Sequence, residues 1–366
     1  MLKITDSLTN GKNTSLVILI ESKADLKNYE IFDWEDNVDK KITKILENKK
    51  NTSFNIFVGE ENIENIYFLF YLDKKEKTIE EFLGEQFSKL PKKLTIIPNK
   101  EEREILLLDM AFLAKYEFDK YKTGEQVEKN KLEVYFISDN NEILEKRYST
   151  IENIILNRDL VSTGSNDKTP EKIVDYVKSF KLKKTKVKYF DSSDIDKKGL
   201  NLIKAVGGGS ANKPAMIIFE KIVDKNAPTH AIIGKGITYD SGGLNLKTAE
   251  WLPIMKDDMG GAGAVIHLMK ELDDKVLNVN LIAVVPLAEN MLGSEAYRPG
   301  DIIKSYCGKT VEILNTDAEG RLILADAISY ASKNYNLDSI TTIATLTGAC
   351  LFALGHNYAG IMGDNR

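Results

Sequence analysis

Histidine is scarce in this sequence: His230, His267 and His356 are the only three in 366 residues, and none sits in an H-E-x-x-H pattern. That leaves almost no room for a histidine-based zinc site. Cysteine is scarcer still. Cys307 and Cys350 are too few and too far apart in sequence for a disulfide framework or a thiolate metal site, and the count suits a reducing, cytoplasmic setting. No run approaches the roughly 20 apolar residues that a membrane span needs. The opening "MLKITDSLTNGKNTSLVILI" lacks a basic stretch followed by a clean apolar core and cleavage site, so its short apolar run reads as a strand rather than a leader. There is no excess of positive charge either. Fifty Lys and Arg face 55 Asp and Glu, a net charge of −5, which gives no nucleic-acid footprint although a local basic patch stays open. Phosphate loops are incomplete: "GKGITY" lacks the third glycine of a dinucleotide fingerprint, and "CGKT" at 307–310 lacks the upstream glycine of a P-loop.

What is present points to a globular chain of two domains. Hydrophobic residues make up 43% and charged residues 29% of a length greater than one usual domain. Residues 1–150 are rich in Lys, Glu, Asn and aromatics. Strand patterns at 15–20, 53–58, 94–97 and 132–137 alternate there with helical patterns at 42–46 and 101–118, which predicts a small α/β domain. Residues 151–180 read as a helical connector, with Thr169 as an N-cap and Pro170 at the first helical position. From 181 to 366 glycine becomes frequent. Strand-like runs at 215–220, 230–234, 279–286, 310–314 and 339–346 alternate with helices near 262–272 and 321–333. That alternation predicts a second α/β domain, with a parallel or mixed central sheet flanked by helices. In such sheets, sites gather at the carboxyl ends of strands.

Three stretches bring charge to those ends. "HAIIGKGITYDSGGLNLK" (230–247) carries Lys235, Asp240 and Lys247; "MKDDMGGAGAV" (255–265) carries Asp258; "NTDAEGRLILADA" (315–327) carries Asp317, Glu319 and Arg321. If 315–319 is extended, Asp317 and Glu319 point to the same side. Taken singly, each residue has an ordinary reading. Asp258 could cap a helix, Asp317 could sit in a turn, Lys235 and Lys247 could be surface lysines, and Arg321 could pair with Asp317 or Glu319. Taken together they converge. Four carboxylates in a partly buried cleft cannot all stay ionised without compensating charge. Hard oxygen donors favour Mg, Mn or a carboxylate-rich Zn or Co site. Two divalent ions about 3.5–4 Å apart would balance the four carboxylates and activate a shared water, leaving Lys247 and Arg321 to hold anions formed during a displacement. That is a hydrolase layout.

These motifs resemble the M17 family, the leucyl aminopeptidases. "FDKYK" (118–122), "NRDLVSTGSNDKTP" (157–170), "AVGGGSANKPAMIIFE" (205–220), "PLAENMLGSEAYRPGDI" (286–302) and "ATLTGA" (344–349) extend the resemblance from about residue 100 to the end. It is weak in the first hundred residues. The resemblance implies a small N-terminal α/β, macro-like domain and a C-terminal metallopeptidase domain. It implies removal of an N-terminal, leucine-like residue from peptides by a water bridging two metals, zinc or manganese, with cobalt or magnesium as alternatives. Lys235, Asp240, Asp258 and Glu319 would hold the tighter ion; Asp240, Asp317 and Glu319, with the Asp317 carbonyl, the more exchangeable one. Lysine donates a lone pair only when neutral, so its pKa must fall beside a dication. Lys247 would stabilise the tetrahedral gem-diolate, and Arg321 would hold a bicarbonate acting as general base. Met255, Asp258, Thr345, Leu346 and Gly348 would contact substrate, with the free α-amine near Asp258.

Family catalytic domains continue past "GHNYAGIMGDNR", so the resemblance also predicts a C-terminally incomplete domain with apolar surface left open, and a chain that is poorly active or unstable alone. A hexamer is expected for the full-length protein. A DNA-binding role, known for some relatives, fits poorly with the acidic balance.

Overall fold

A computed structural model of the chain describes residues 1–5, 14–22, 24–25, 36–57, 63–123 and 132–364. The chain divides into two compact units, Met1–Ile155 and Leu156–Arg366. The first contains β1 (Leu2–Thr5), β2 (Thr14–Ile20), α1 (Asp36–Asn48), β3 (Thr52–Phe57), β4 (Ile63–Phe70), α2 (Ile79–Lys89), β5 (Lys93–Ile97), α3 (Glu104–Leu113), β6 (Glu133–Ile137) and the start of α4 (Asn141–Ser162). Its six strands run in the order β1-β6-β5-β2-β4-β3, parallel except for β3 against β4. The central strand β2, "TSLVILI", is buried along its whole length, as a strand covered on both faces must be. Phe82, Leu83 and Phe87 of α2, Leu107 and Leu108 of α3 and Leu144 of α4 fill one face. Val38 and Ile42 of α1 join Leu16, Ile18 and Phe68 on the other. A capping box starts α2: the Thr78 side chain accepts from Glu81 N, and the Glu81 carboxylate accepts from Thr78 N.

The helix expected over 101–118 is shorter. It opens as a 3-10 turn, Glu101–Arg103, and α3 ends at Leu113, so the pattern had run on into coil. The strand read at 53–58 is β3, with Val58 outside the described residues.

The second unit contains α5 (Pro170–Lys178), β7 (Lys186–Phe190), α6 (Ser192–Lys198), α7 (Asn201–Gly208), β8 (Ala215–Lys221), β9 (Thr229–Gly234), β10 (Gly236–Asp240), α8 (Gly260–Leu272), β11 (Asn280–Asn290), β12 (Ile302–Lys304), β13 (Thr310–Glu312), α9 (Glu319–Asn334), β14 (Ser339–Ile343) and α10 (Ala349–Leu354). The sheet runs β14-β9-β11-β8-β7, with β10 continuing along β11. It is mixed: β9, β10 and β11 are parallel to one another, β14 is parallel to β9, and β8 opposes both β11 and β7. Period-two alternation sends neighbouring residues of one strand to separate cores. Met216, Ile218, Ile282 and Val284 pack under Leu202, Ile203 and Val206 of α7 and Ile323 and Ala327 of α9. Ile217, Phe219, Ala283 and Val285 pack under Ile173 and Val177 of α5 and Val265, Ile266 and Met269 of α8. Helix α7 has no capping side chain of its own; fully buried Asp326 of α9 accepts from Leu202 N and Ile203 N instead.

Within 151–180, α4 continues to Ser162, and α5 begins as its residues predict, with Thr169 accepting from Lys172 N and Pro170 at the first position. Strand β13 stops at Glu312, short of the run read at 310–314. At the far edge of the sheet every residue of β14 is exposed, and Ile340, Ile343, Phe352 and Ile361 lie open to solvent. Among the described residues no helix is long and apolar enough to cross a membrane.

Candidate metal centre

Strands β9 and β10 are one path along β11, broken at a single residue, Lys235. Its amide extends the pairing with β14 by donating to Ile343 O (2.9 Å), while its carbonyl accepts from Ala262 N of α8 (2.8 Å). The start of α8 therefore lies against the backbone of two strands. At Gly261 a Cβ would stand 2.1 Å from Ile343 O, which is why the helix opens with glycines. The Lys235 side chain is buried. Its ammonium contacts both Asp258 oxygens at 2.7 Å, Glu319 Oε1 at 3.0 Å and Thr345 O at 2.9 Å. Thr345 Oγ1 donates to Asp258 Oδ1 at 2.8 Å. Lys235, Asp258 and Glu319 are all buried.

The second group forms where β10 ends. Asp240 is its last residue, and "SGG" turns the chain so that Lys247 comes back: Gly242 sits at φ +87°, and Lys247 N donates to Ser241 O. The Lys247 ammonium lies 2.9 Å from Asp240 Oδ2 and 2.7 Å from Asp317 Oδ1. Asp240, Asp317 and Glu319 offer ligand atoms within 4.8 Å of one another. Each lysine thus lies between two carboxylates, and four carboxylates against two ammoniums leave two negative charges uncompensated.

The protonation equilibria express that shortage. Burial works to lower the pKa of Lys235, but Glu319 and Asp258 outweigh it and the pKa is raised; Lys247 is raised in the same way by Asp317 and Asp240. Burial raises Asp258 and Glu319 despite the opposing charge of Lys235. Every shift favours taking up positive charge. Glu319 Oε2 is, in addition, buried without a hydrogen-bond partner among the described residues. An acidic, oxygen-rich cluster with an orphaned carboxylate oxygen fits divalent cations.

The turn that carries Asp317 corrects an expectation. Residues 315–319 are not extended; they form a turn, and Glu319 is the first residue of α9. Asp317 and Glu319 meet because the chain bends between them, not because strand side chains alternate. Asn315 and Asp317 are turn formers, and Asn315 Oδ1 accepts from Asp317 N (2.8 Å). Nor does Asp258 cap α8. Met259 holds that position without a side-chain cap, and the Asp258 carboxylate is committed to Lys235 and Thr345. Arg321 is exposed and pairs with neither Asp317 nor Glu319 among the described residues.

Of the expected substrate contacts, Thr345 reaches the cluster through both its hydroxyl and its carbonyl. Met255 is half-buried in a 3-10 turn, Leu252–Asp257, ahead of Asp258. Leu346 and Gly348 are exposed, and no contact among the described residues ties them to the carboxylates. The expectation also passed over Asn290, Tyr297 and Thr316. Asn290 Nδ2 donates to Asp240 Oδ1 (2.8 Å) and Thr316 O (3.0 Å), and Tyr297 OH donates to the same carbonyl (2.6 Å). Burial, then Glu319, Asp240 and Asp317, raise the Tyr297 pKa and keep it a donor. A signal was available: Asn290 closes the strand that holds the apolar run 281–288, at the carboxyl end where sites gather.

Residues 155–366 match the "Cytosol aminopeptidase family, catalytic domain". A probable cytosol aminopeptidase of Rickettsia canadensis (strain McKiel) is 38% identical over 270 residues, covering 71% of this chain and 53% of its own length. The chain spans about half the length of the curated relatives it matches. The crystal structure of a cytosol aminopeptidase from Coxiella burnetii superposes with a TM-score of 0.78 at 28% identity, over 97% of this chain and 75% of that one. The bottromycin maturation enzyme BotP in complex with Mn shares the fold, with a TM-score of 0.77 at 24% identity, over 93% of this chain and 74% of its own.

Proposed function

Because the chain belongs to the M17 cytosol aminopeptidase family, we propose that the protein is a metal-dependent aminopeptidase that removes the N-terminal residue, leucine-like by preference, from peptides. The observation that carries this reading is the cluster of Asp240, Asp317 and Glu319, with ligand atoms within 4.8 Å and a buried Glu319 oxygen lacking a partner. Two divalent ions would supply the missing positive charge and the acidity that makes a water nucleophilic near neutral pH. Lys235, Asp240, Asp258 and Glu319 would hold the tighter ion, and Asp240, Asp317 and Glu319 the more exchangeable one. Lys235 would serve through Nζ as a neutral amine, giving up one proton and its contacts to Asp258 and Glu319.

The chain's own groups divide the remaining work. Lys247, mostly buried between Asp240 and Asp317, would present a cation to the oxyanion that forms when the peptide carbonyl is attacked. Arg321, exposed and without an ion pair among the described residues, would hold bicarbonate as the proton acceptor. Asp258 would receive the substrate's α-amine, restricting cleavage to the amino end. Met255, Thr345, Leu346 and Gly348 would shape the pocket. Oxygen donors suit zinc, manganese, cobalt or magnesium, and the Mn complex of the fold neighbour makes manganese the first ion to test. A hexamer acting on peptides in the cytoplasm belongs to the same reading and concerns the whole protein. Release of p-nitroaniline from leucine p-nitroanilide, with chelator and with Mn²⁺ or Co²⁺ restored, tests it: activity should vanish on chelation and return with metal. Turnover indifferent to chelation would contradict it.

A further inference from the structure

One buried side chain ties together the two segments that carry the second group of carboxylates, the end of β10 and the 315–319 turn, without being a ligand itself. Asn290 is the last residue of β11 and the register partner of Asp240, the last residue of β10. It is fully buried. Its amide nitrogen donates in two directions, to Asp240 Oδ1 at 2.8 Å and to Thr316 O at 3.0 Å. A carboxylate and a backbone carbonyl only accept, so the NH₂ end must face them and the orientation of the amide is forced. Its own backbone carbonyl accepts from Ser241 N (3.0 Å) and Ser241 Oγ (2.8 Å), fixing the turn that returns Lys247.

We propose that Asn290 is the positioning residue that sets the aim of Asp240 and the 315–319 turn, so that the carboxylate cluster is built to bind cations before one arrives. The proposal rests on the metal-dependent reading above and adds to it a residue outside the expected ligand set. Asp240 Oδ1 is held by Gly242 N (2.9 Å) and Asn290, which leaves Oδ2 as the oxygen turned toward the charge-bearing side, where Lys247 meets it. Thr316 precedes Asp317 and is clamped at its carbonyl by Asn290 and Tyr297 and at its hydroxyl by Gly242 O (2.6 Å). The cost of this arrangement is visible. Asn290 Oδ1 is buried with no hydrogen-bond partner among the described residues, an orphan that works against stability. A side chain chosen for stability alone would not leave it there. Aligning two ligand-bearing segments accounts for it.

Manganese binding to the 366-residue chain, followed by electron paramagnetic resonance of free Mn²⁺ and by calorimetry, tests the proposal without relying on turnover. Asn290→Leu keeps the volume and removes both donors, and it should weaken Mn²⁺ binding about 10–100-fold, as loss of a partner that orients a metal ligand does. Tyr297→Phe removes the second donor to Thr316 O and should weaken binding by less. The control is Asn280→Ala, at the opposite end of the same strand. Asn280 bonds Val223 N, Asp224 N, Asp224 O and Ala227 O, so its loss should lower the melting temperature and leave the Mn²⁺ affinity unchanged. If Asn290→Leu does not fold, the Tyr297→Phe affinity decides. Mn²⁺ affinities within twofold of wild type in the folded variants, alongside loss of binding in Asp317→Asn, overturn the role of Asn290 and leave the metal reading standing. A wild-type chain that takes up no Mn²⁺ overturns both.

Discussion

Adding one methyl group at Gly320 sets two physical effects of opposite sign against each other. Gly320 is the second residue of α9, and replacing a helical glycine by alanine ordinarily stabilises a helix by about 0.5–1 kcal/mol. At this site the new Cβ would stand 2.5 Å from Lys235 Cε, 2.8 Å from Nζ and 3.0 Å from Cδ. Carbon atoms rest at about 3.5–4.0 Å, so the end of the lysine must retreat by roughly 1 Å. It has little freedom to do so, being 2% exposed and held by contacts of 2.7 to 3.0 Å to Asp258, Glu319 and Thr345. A retreat of that size takes some of them beyond hydrogen-bonding range. Breaking a buried ion pair costs about 3–5 kcal/mol. Less the helical gain, Gly320→Ala should destabilise the chain by about 2–4 kcal/mol. Gly84, in α2, has nothing among the described residues within 4 Å of its prospective Cβ, so Gly84→Ala shows the helical term alone and should stabilise. Urea denaturation of both variants in chelator, with amide exchange to localise the change, separates the effects. If Gly320→Ala proves as stable as wild type or more so, the tight seating of Lys235 is wrong.

Other outcomes follow from the same contacts. His267 is buried, with Nδ1 donating to Gly263 O (2.8 Å) and Nε2 accepting from Tyr176 OH (2.9 Å); burial pushes its pKa down to about 4. The unfolded chain, titrating near 6.5, takes up the proton first as pH falls, so stability complete above that pH drains away towards pH 4, by about 3 kcal/mol in all. Urea midpoints for wild type and His267→Gln across pH 7 to 4.5 measure it, and parallel pH dependences would refute it. Glu319→Ala should lose metal and peptidase activity together, measured by metal content and leucine p-nitroanilide turnover. Lys247→Ala should keep its metal and lose rate by about 10²–10³, as when an oxyanion donor is removed; normal turnover would discard that role.

The strands were legible because apolar runs such as 215–220 and 279–286 are long and bounded by turn residues, and the structure extends them only slightly, to Lys221 and Asn290. Most of the charged residues were legible as a set, since Lys235, Asp240, Asp317 and Glu319 follow strand-like runs; Asp258 follows a 3-10 turn instead. How they meet was not. Lys235 pairs with Asp258, 23 residues away, and with Glu319 at the start of α9, and no local pattern encodes either pairing. The 315–319 segment shows where a period-two reading fails: Asn, Asp and Gly in six residues are turn chemistry, and a bend brings two side chains together as well as alternation would. Asn290, Tyr297 and Thr316 escaped because each resembles ordinary core or turn composition until the partner strands are in register.

The break at Lys235 also bears on the order of events during synthesis. Its amide depends on Ile343 O, at the end of β14, and its ammonium on Thr345 O just past it, 110 residues downstream. A nascent chain can close the Asp258 contact early, but that distant loop closes only once β14 has emerged and paired with β9. Until then Lys235 lacks two of the partners that hold it between Asp258 and Glu319.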